Sequence, residues 1–299
     1  MDRFVIISPC FNEEQAISAF LAELESVIKS TSYAFTIIIV DDCSTDKTLD
    51  VLENFRFRSG NIELNIITLK FNIGHQEAIG HGLRAAAKID ALGYIVIDSD
   101  GEDNPEAIKT LVLMKDFDIV FVTRGRREQT LMFKTGYLLY QLLFMIISGT
   151  RINYGNYSMI SKKVVGIIAA KNFDHYSACL SKLKYPKRSV RFDRRARIGG
   201  ESKMNYNSLI MHGLWSLIEY AHELLFFFIR VLFGIFLGSV LFGGYVVYGK
   251  FISHTAIPGW ASTMVLGLIN AGLITSGIIV LGLLILSQKN NNRREPGSF

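Results

Sequence analysis

Between Asp98 and Glu106 the sequence DSDGEDNPE sets five carboxylates within nine residues, directly after the apolar run YIVI (94–97). Like charges repel, so such a cluster persists only where solvent screens it or where something strongly positive sits among it. Asp98 and Asp100, separated by one residue, offer hard oxygen ligands on one side of a turn. That chemistry suits Mg²⁺ or Mn²⁺, with positions left open for substrate phosphates. For Asp103 and Glu106 a solvated turn is expected, the carboxylates being favoured at the start of the following helix. A calcium-binding EF-hand loop is excluded, because the glycine falls at 101 and no Glu stands at the twelfth position.

Three more polar stretches follow apolar runs in the same way: SPCFNEE (8–14), DDCSTD (41–46) and NIGHQEA (72–78). The runs FVIIS (4–8), FTIIIV (35–40), NIIT (65–68), YIVI and DIVFV (118–122) are rich in Val and Ile and apolar on both faces. Helical patterns separate them, which is the signature of βαβ units and a mostly parallel sheet covered on both sides. Ser44 or Asp46 is a natural cap for the helix in STDKTLDVLENF, and Pro105 suits a first helical turn after Asn104. In open parallel sheets ligands bind outside the carboxyl ends of the strands, so four such loops describe the rim of a site.

The chain has 299 residues, 49% of them hydrophobic, and a mean hydropathy of +0.28. The apolar excess lies at the end. Val231–Gly249 and Ala261–Ser287 carry no charge, and each approaches or exceeds the ~20 residues that cross a ~30 Å hydrocarbon core. A C-terminal transmembrane hairpin is expected. Arg230 before it and QKNNNRREP after it, against one Lys in the connector KFISHTAIPGW, put the N-terminal domain and the C-terminus in the cytoplasm. Met1 runs almost directly into the first strand, so no signal peptide is read here, and the three cysteines (Cys10, Cys43, Cys179) have no metal or redox spacing.

Net charge is +5, with basic residues gathered in 123–129 and 182–200. Beside membrane spans, an anionic lipid surface or a phosphate is a better partner for them than nucleic acid. Amphipathic interfacial helices are expected at 129–148 and 208–229. Gly234 and Gly238 form a small-xxx-small pair suited to close helix packing, hence to a homo-oligomer, whereas the five-residue spacing of Gly267, Gly272, Gly277 and Gly282 lines no single helical face.

SPCFNEE, VDDCSTDKT, NIGHQEAIGHGLRAA and IDSDGEDNPE, in that order, resemble the motifs of family 2 glycosyltransferases with a GT-A fold. The basic segment, RIGGESKMNYN (197–207) and the two spans resemble the polyprenyl-phosphate branch, which includes dolichol-phosphate mannose synthases and bacterial undecaprenyl-phosphate sugar transferases. The resemblance covers nearly the whole chain. It implies that Pro9, Asn12 and Glu13 shape a nucleotide pocket, with Asp42 near the base. Asp98 would lie near the ribose or the metal, and Asp100 would hold the metal on the diphosphate. Relatives often have Gln where Glu102 stands, so Glu102 becomes a third, charged metal ligand or shifts the metal preference. Arg124, Arg126 and Arg127 match the basic segment that takes the lipid phosphate, with Arg126 counted among the catalytic residues. Ser202 and Lys203 match the loop that closes over the donor's phosphates.

One departure stands out. Many relatives carry Asp and Arg in a GDFRL-like segment, where this chain has GNYSMI with Asn156 and Ser158. The resemblance thus implies an α/β, Rossmann-like GT-A core at 1–128 and an acceptor-side region at 129–207. A juxtamembrane helix at 208–230, the hairpin at 231–287 and a cytoplasmic tail at 288–299 would follow. The expected activity is metal-dependent, inverting transfer of one sugar from a nucleotide sugar to a polyprenyl phosphate at a bacterial inner membrane. A polysaccharide synthase is disfavoured, since neither Trp215 nor Trp260 lies in a Gln-x-x-Arg-Trp context. A non-catalytic, membrane-tethered module that binds nucleotide sugars or assembles a complex is the alternative.

Overall fold

The computed structural model describes residues 2–124, 145–146, 154–199, 219–252 and 259–292. It divides into two units, one built on a sheet and the other holding two long helices.

In the first unit the apolar runs form β1 (Arg3–Cys10), β2 (Ala34–Asp41), β3 (Ile62–Thr68), β4 (Gly93–Val96) and β5 (Ile119–Arg124). Between them lie α1 (Ile17–Ile28), α2 (Thr48–Asn54), α3 (His75–Ala86) and α4 (Ala107–Leu113). Two strands beyond the sequence reading, β6 (Tyr154–Ile160) and β7 (Lys187–Phe192), join the same sheet. Short helices α5 (Lys162–Ala169) and α6 (Tyr176–Lys182) accompany them.

The sheet order is β3-β2-β1-β4-β6-β5-β7, with β6 alone antiparallel to its neighbours. The chain leaves β1 toward β2 and β3 and returns on its other side as β4. The switch point, where an α/β sheet opens a crevice for ligands, therefore lies between β1 and β4. The six parallel strands end at one edge, and β6, running the other way, begins there.

Alternation along β1 feeds two cores. Phe4 and Ile6 join Phe20, Leu24 and Leu111 on one face, while Val5 and Ile7 join Ile79 and Leu83 on the other. A Cβ on Gly82 of α3 would fall 2.3 Å from Ile7 Cγ2, so glycine there lets α3 lie close on the sheet. That approach brings the start of α3, with His75, to the ligand-binding edge. Neither Ser44 nor Asp46 is the cap of α2, a position that Lys47 holds; Asp46 Oδ1 accepts the Thr48 N–H at 3.0 Å from just outside, while Ser44 Oγ accepts from Asn12.

In the second unit α7 (Ala221–Phe251) and α8 (Trp260–Asn292) contain Glu223–Tyr245 and Ser262–Gly282, each long and apolar enough to cross a membrane. Neither window is buried by the fold, whereas the core helix of a soluble protein would bury these side chains. The first window begins earlier than expected, and the segment before Val231 is no separate helix from Ala221 onward. With no Pro or Gly between Ala221 and Val231, nothing interrupts the helix there. A Cβ at Gly234, Gly238 or any of Gly267, Gly272, Gly277 and Gly282 would meet nothing within 4 Å, so none of them marks a close contact within the described residues. The helix expected at 129–148 lies outside the described residues apart from 145–146, and so does 208–218.

Candidate active site

The loops after β1 and β2 are stitched together residue by residue. Asn12 donates its main-chain N–H to Ser44 Oγ at 2.8 Å, and Asn12 Oδ1 accepts the Thr45 N–H at 2.7 Å. Glu13 donates its N–H to Thr48 Oγ1 at 2.7 Å. Asn12 holds a left-handed backbone (φ 54), which asparagine tolerates better than most residues. Pro9 lies just past the end of the β4 ladder, where Ser99 Oγ–H donates to its carbonyl at 2.8 Å. Both Asp42 oxygens are engaged: they accept the N–H groups of Ile73 (2.7 Å) and Gly74 (2.9 Å), fixing the turn into α3. Asp42 is thus a buried brace beneath the loop that delivers His75.

The carboxylates at the end of β4 have the positive company that their crowding demands, and it comes from the segment after β7. Arg194 lies 2.5 Å from Glu102 and 4.0 Å from Asp103, while Arg197 pairs with Glu13 and lies 3.7 Å from Asp100. Arg195 pairs with Glu23 on α1. This corrects two expectations. Asp103 is buried rather than solvated, because Arg194 stands beside it; Glu106 remains exposed and pairs with Lys109. The arginines of 194–197 serve internal carboxylates rather than an external phosphate or lipid surface.

Behind Asp98 lies a chain of hydrogen bonds with a fixed direction. The main-chain N–H of Tyr176 can only donate, so Gln76 must turn Oε1 toward it, at 2.7 Å. Gln76 Nε2 then donates to Asn156 Oδ1 at 3.4 Å, which turns Asn156 Nδ2 toward His75 Nε2 at 2.9 Å. The same His75 nitrogen lies 3.2 Å from Asp98 Oδ1. It cannot accept from Asn156 and donate to Asp98 at once. Burial disfavours a charged ring, but the charge and hydrogen bond of Asp98, with Asp100 and Asp103 behind it, outweigh burial and raise the His75 pKa.

Burial also raises the Asp100 pKa, and the neighbouring charge of Asp98 adds to the rise. The side-chain exposures are 15% for Asp98 and 18% for Asp100. Two such carboxylates, their repulsion only partly met by His75 and Arg197, fit a divalent cation shared with a substrate's phosphates. Glu102 does not fit that role, being held by Arg194. Among the described residues no three His, Cys, Asp or Glu side chains form a ready-made ligand set.

Arg124 ends β5 opposite Phe192, at the same edge of the sheet. Arg126, Arg127, Ser202 and Lys203 lie outside the described residues. Sequence reasoning did not single out His75, Gln76, Arg194 and Arg197. The first two stand in the third rim motif, and the arginines stand in a basic run that carries no mark of its partner.

A mostly parallel sheet covered on both faces, with an Asp-x-Asp loop at its switch point, is the GT-A arrangement of nucleotide-sugar transferases. The chain belongs to glycosyl transferase family 2, whose family model it matches over residues 5–167. It is 29% identical over 278 residues to the uncharacterized glycosyltransferase sll0501 of Synechocystis sp., covering 87% of this chain and 82% of that one. Over 131 residues it is 31% identical to the undecaprenyl-phosphate 4-deoxy-4-formamido-L-arabinose transferase of Pseudomonas savastanoi, 43% of this chain and 38% of that one. Glucosyl-3-phosphoglycerate synthase from Mycobacterium tuberculosis, crystallised with Mn²⁺, UDP-glucose and phosphoglyceric acid, matches with a TM-score of 0.53 at 14% identity. That match covers 74% of this chain and 79% of the synthase, and at such identity the likeness is one of fold.

Proposed function

We propose that this glycosyltransferase moves a single sugar from a nucleotide-sugar donor to a polyprenyl phosphate, with inversion, at the cytoplasmic face of a bacterial inner membrane. The observation that carries the reading is the placing of Asp98 and Asp100 at the β1/β4 switch point of a chain that also carries two membrane-length apolar helices. The partial relative named as an undecaprenyl-phosphate sugar transferase supports the acceptor class. In this reading Pro9, Asn12 and Glu13 shape the donor pocket, and Asp42 braces it. Ser202 and Lys203 close over the donor phosphates, while Arg124, Arg126 and Arg127 take the acceptor phosphate, to which guanidinium forks bind bidentately. Asp98 and Asp100 would hold Mg²⁺ or Mn²⁺, which when bound neutralises charge on the departing nucleoside diphosphate.

No general base is required at position 156. A phosphate monoester has its second pKa near ~6 and is already largely dianionic at neutral pH. Its oxygen attacks the anomeric carbon as the bond to the nucleoside diphosphate breaks, and the protein supplies orientation and charge stabilisation. An amide at Asn156 is compatible with such chemistry.

The test is single-turnover transfer in liposomes containing undecaprenyl phosphate, with a panel of radiolabelled nucleotide sugars, Mg²⁺ or Mn²⁺, and an Asp100→Ala control. Label entering the lipid phase with one donor, and lost in the control, is the expected result. No transfer from any donor, with metal-dependent nucleotide binding retained, would instead favour a membrane-tethered binding module.

A further inference from the structure

We propose that Arg194 is a positioning residue that withholds Glu102 from the cation site and limits the acidic loop to two ligands, Asp98 and Asp100. The inference rests on the reading of that pair as the cation site. Three observations carry it. Glu102 and Asp103 are adjacent and nearly buried, with side-chain exposures of 13% and 6%, and Arg194, itself 21% exposed, reaches both. Carboxylates so withdrawn from water need a fixed counter-charge, and Arg194 supplies it from within the chain. The main chain holds the segment in register: Arg195 N–H donates to the Glu102 carbonyl at 2.9 Å, and Ile198 N–H to the Asp100 carbonyl at 3.3 Å. Ile198 also fills the space over Gly101, where φ is +75 and a Cβ would fall 2.3 Å from Ile198 Cδ1.

The strap therefore touches the acidic loop on both sides of Gly101, and its charge is aimed at the first carboxylate after Asp100. Without Arg194, Glu102 loses its partner. A divalent cation is then the best available replacement, and affinity for such ions rises with the number of charged oxygen ligands. Without Glu102, the Arg194 charge is met only in part, by Asp103 at 4.0 Å, and repels the ion more strongly.

Full-length protein in detergent micelles would be titrated with Mn²⁺ alone, free Mn²⁺ being read by electron paramagnetic resonance and folding by the thermal midpoint. Arg194→Gln is expected to tighten Mn²⁺ binding about tenfold, through the added charged ligand. Glu102→Gln should weaken it several-fold, and Arg194→Gln with Glu102→Gln together should return it near the wild-type value. Arg194→Lys, which keeps the charge, should bind as wild type. A merely structural Arg194 would lower the midpoint without tightening Mn²⁺ binding. Unchanged affinity in Arg194→Gln overturns the proposal, as does unchanged affinity in Glu102→Gln if the arginine variant fails to fold. Asp100→Ala separates the two levels: if it leaves Mn²⁺ binding intact, the reading of the cation site itself fails. If it abolishes binding while the Arg194 and Glu102 variants behave as wild type, only the role of Arg194 fails.

Discussion

Replacing Gln76 with leucine tests whether the directed hydrogen bonds behind Asp98 hold the site in shape. The Gln76 side chain is buried, accepts the Tyr176 N–H at 2.7 Å and donates to Asn156 at 3.4 Å. Tyr176 opens α6, so no carbonyl one turn earlier in the helix can take its N–H. Leucine keeps the approximate volume and removes both partners. A buried N–H left unpaired costs about 1–3 kcal/mol, and the long bond to Asn156 adds about 0.5 kcal/mol. The extra apolar burial of leucine returns about 1 kcal/mol. The net loss is therefore about 1.5 kcal/mol, which for a unit of about 200 residues lowers Tm by roughly 3–6 °C. Gln76→Glu is the companion variant. It keeps an acceptor for Tyr176 but turns a second oxygen toward Asn156, which must reverse its amide and offer Oδ1 to His75. Most of the stability should survive, while the group that Asn156 presents to His75 Nε2 changes from a donor to an acceptor, a change visible in the ring's ¹⁵N chemical shifts. A Gln76→Leu protein that melts with the wild type refutes the structural role. A glutamate variant with an unaltered His75 spectrum refutes the assigned direction.

Arg197→Gln strips the nearly buried Glu13 of its guanidinium, an expected loss of about 3 kcal/mol. Glu13→Gln in the same chain should recover most of it in denaturant unfolding, and equal stabilities of the single and double variants would contradict the pairing. A thiol reagent at pH 8 should modify Cys43 alone in the folded protein. Burial pushes the Cys10 thiol far up and the Cys179 thiol to about 12, and both side chains are enclosed, while Cys43 is partly exposed. Rapid labelling of a second cysteine, located by peptide mapping, would count against that packing.

The loops were legible because a polar cluster after a Val/Ile-rich run has one meaning in a parallel sheet: a strand has ended and a binding edge begins. Asp98, Asp100, Asn12 and Glu13 stand out on that ground. Strands β6 and β7 were not legible for two different reasons. In β6 the interior positions include Asn156 and Ser158, polar residues that break the apolar pattern, Asn156 bonding to His75 and Ser158 to the buried Tyr176 hydroxyl. In β7 the sequence KRSVRF lies at the edge of the sheet, where charged side chains are favoured against pairing with another chain. The partners of Arg194 and Arg197 could not be read at all. A basic run beside apolar helices looks the same whether it faces a lipid surface or an acid loop far away in the chain. Asp103 was misjudged for the same reason, its burial being decided by a residue that no local pattern connects to it.

The order of strands also governs how the protein can be made. β6 lies between β4 and β5, although β5 is synthesised first. A nascent chain that has emerged only as far as β5 has a free edge on β4 and a fifth strand with no neighbour to dock against. Its acid loop meanwhile lacks the arginines of 194–197. Such an intermediate is the kind that sticks to other chains or to a chaperone. Fragments cut after β5 should inherit the same fault, so a minimal soluble version of this enzyme has to run at least through Gly199.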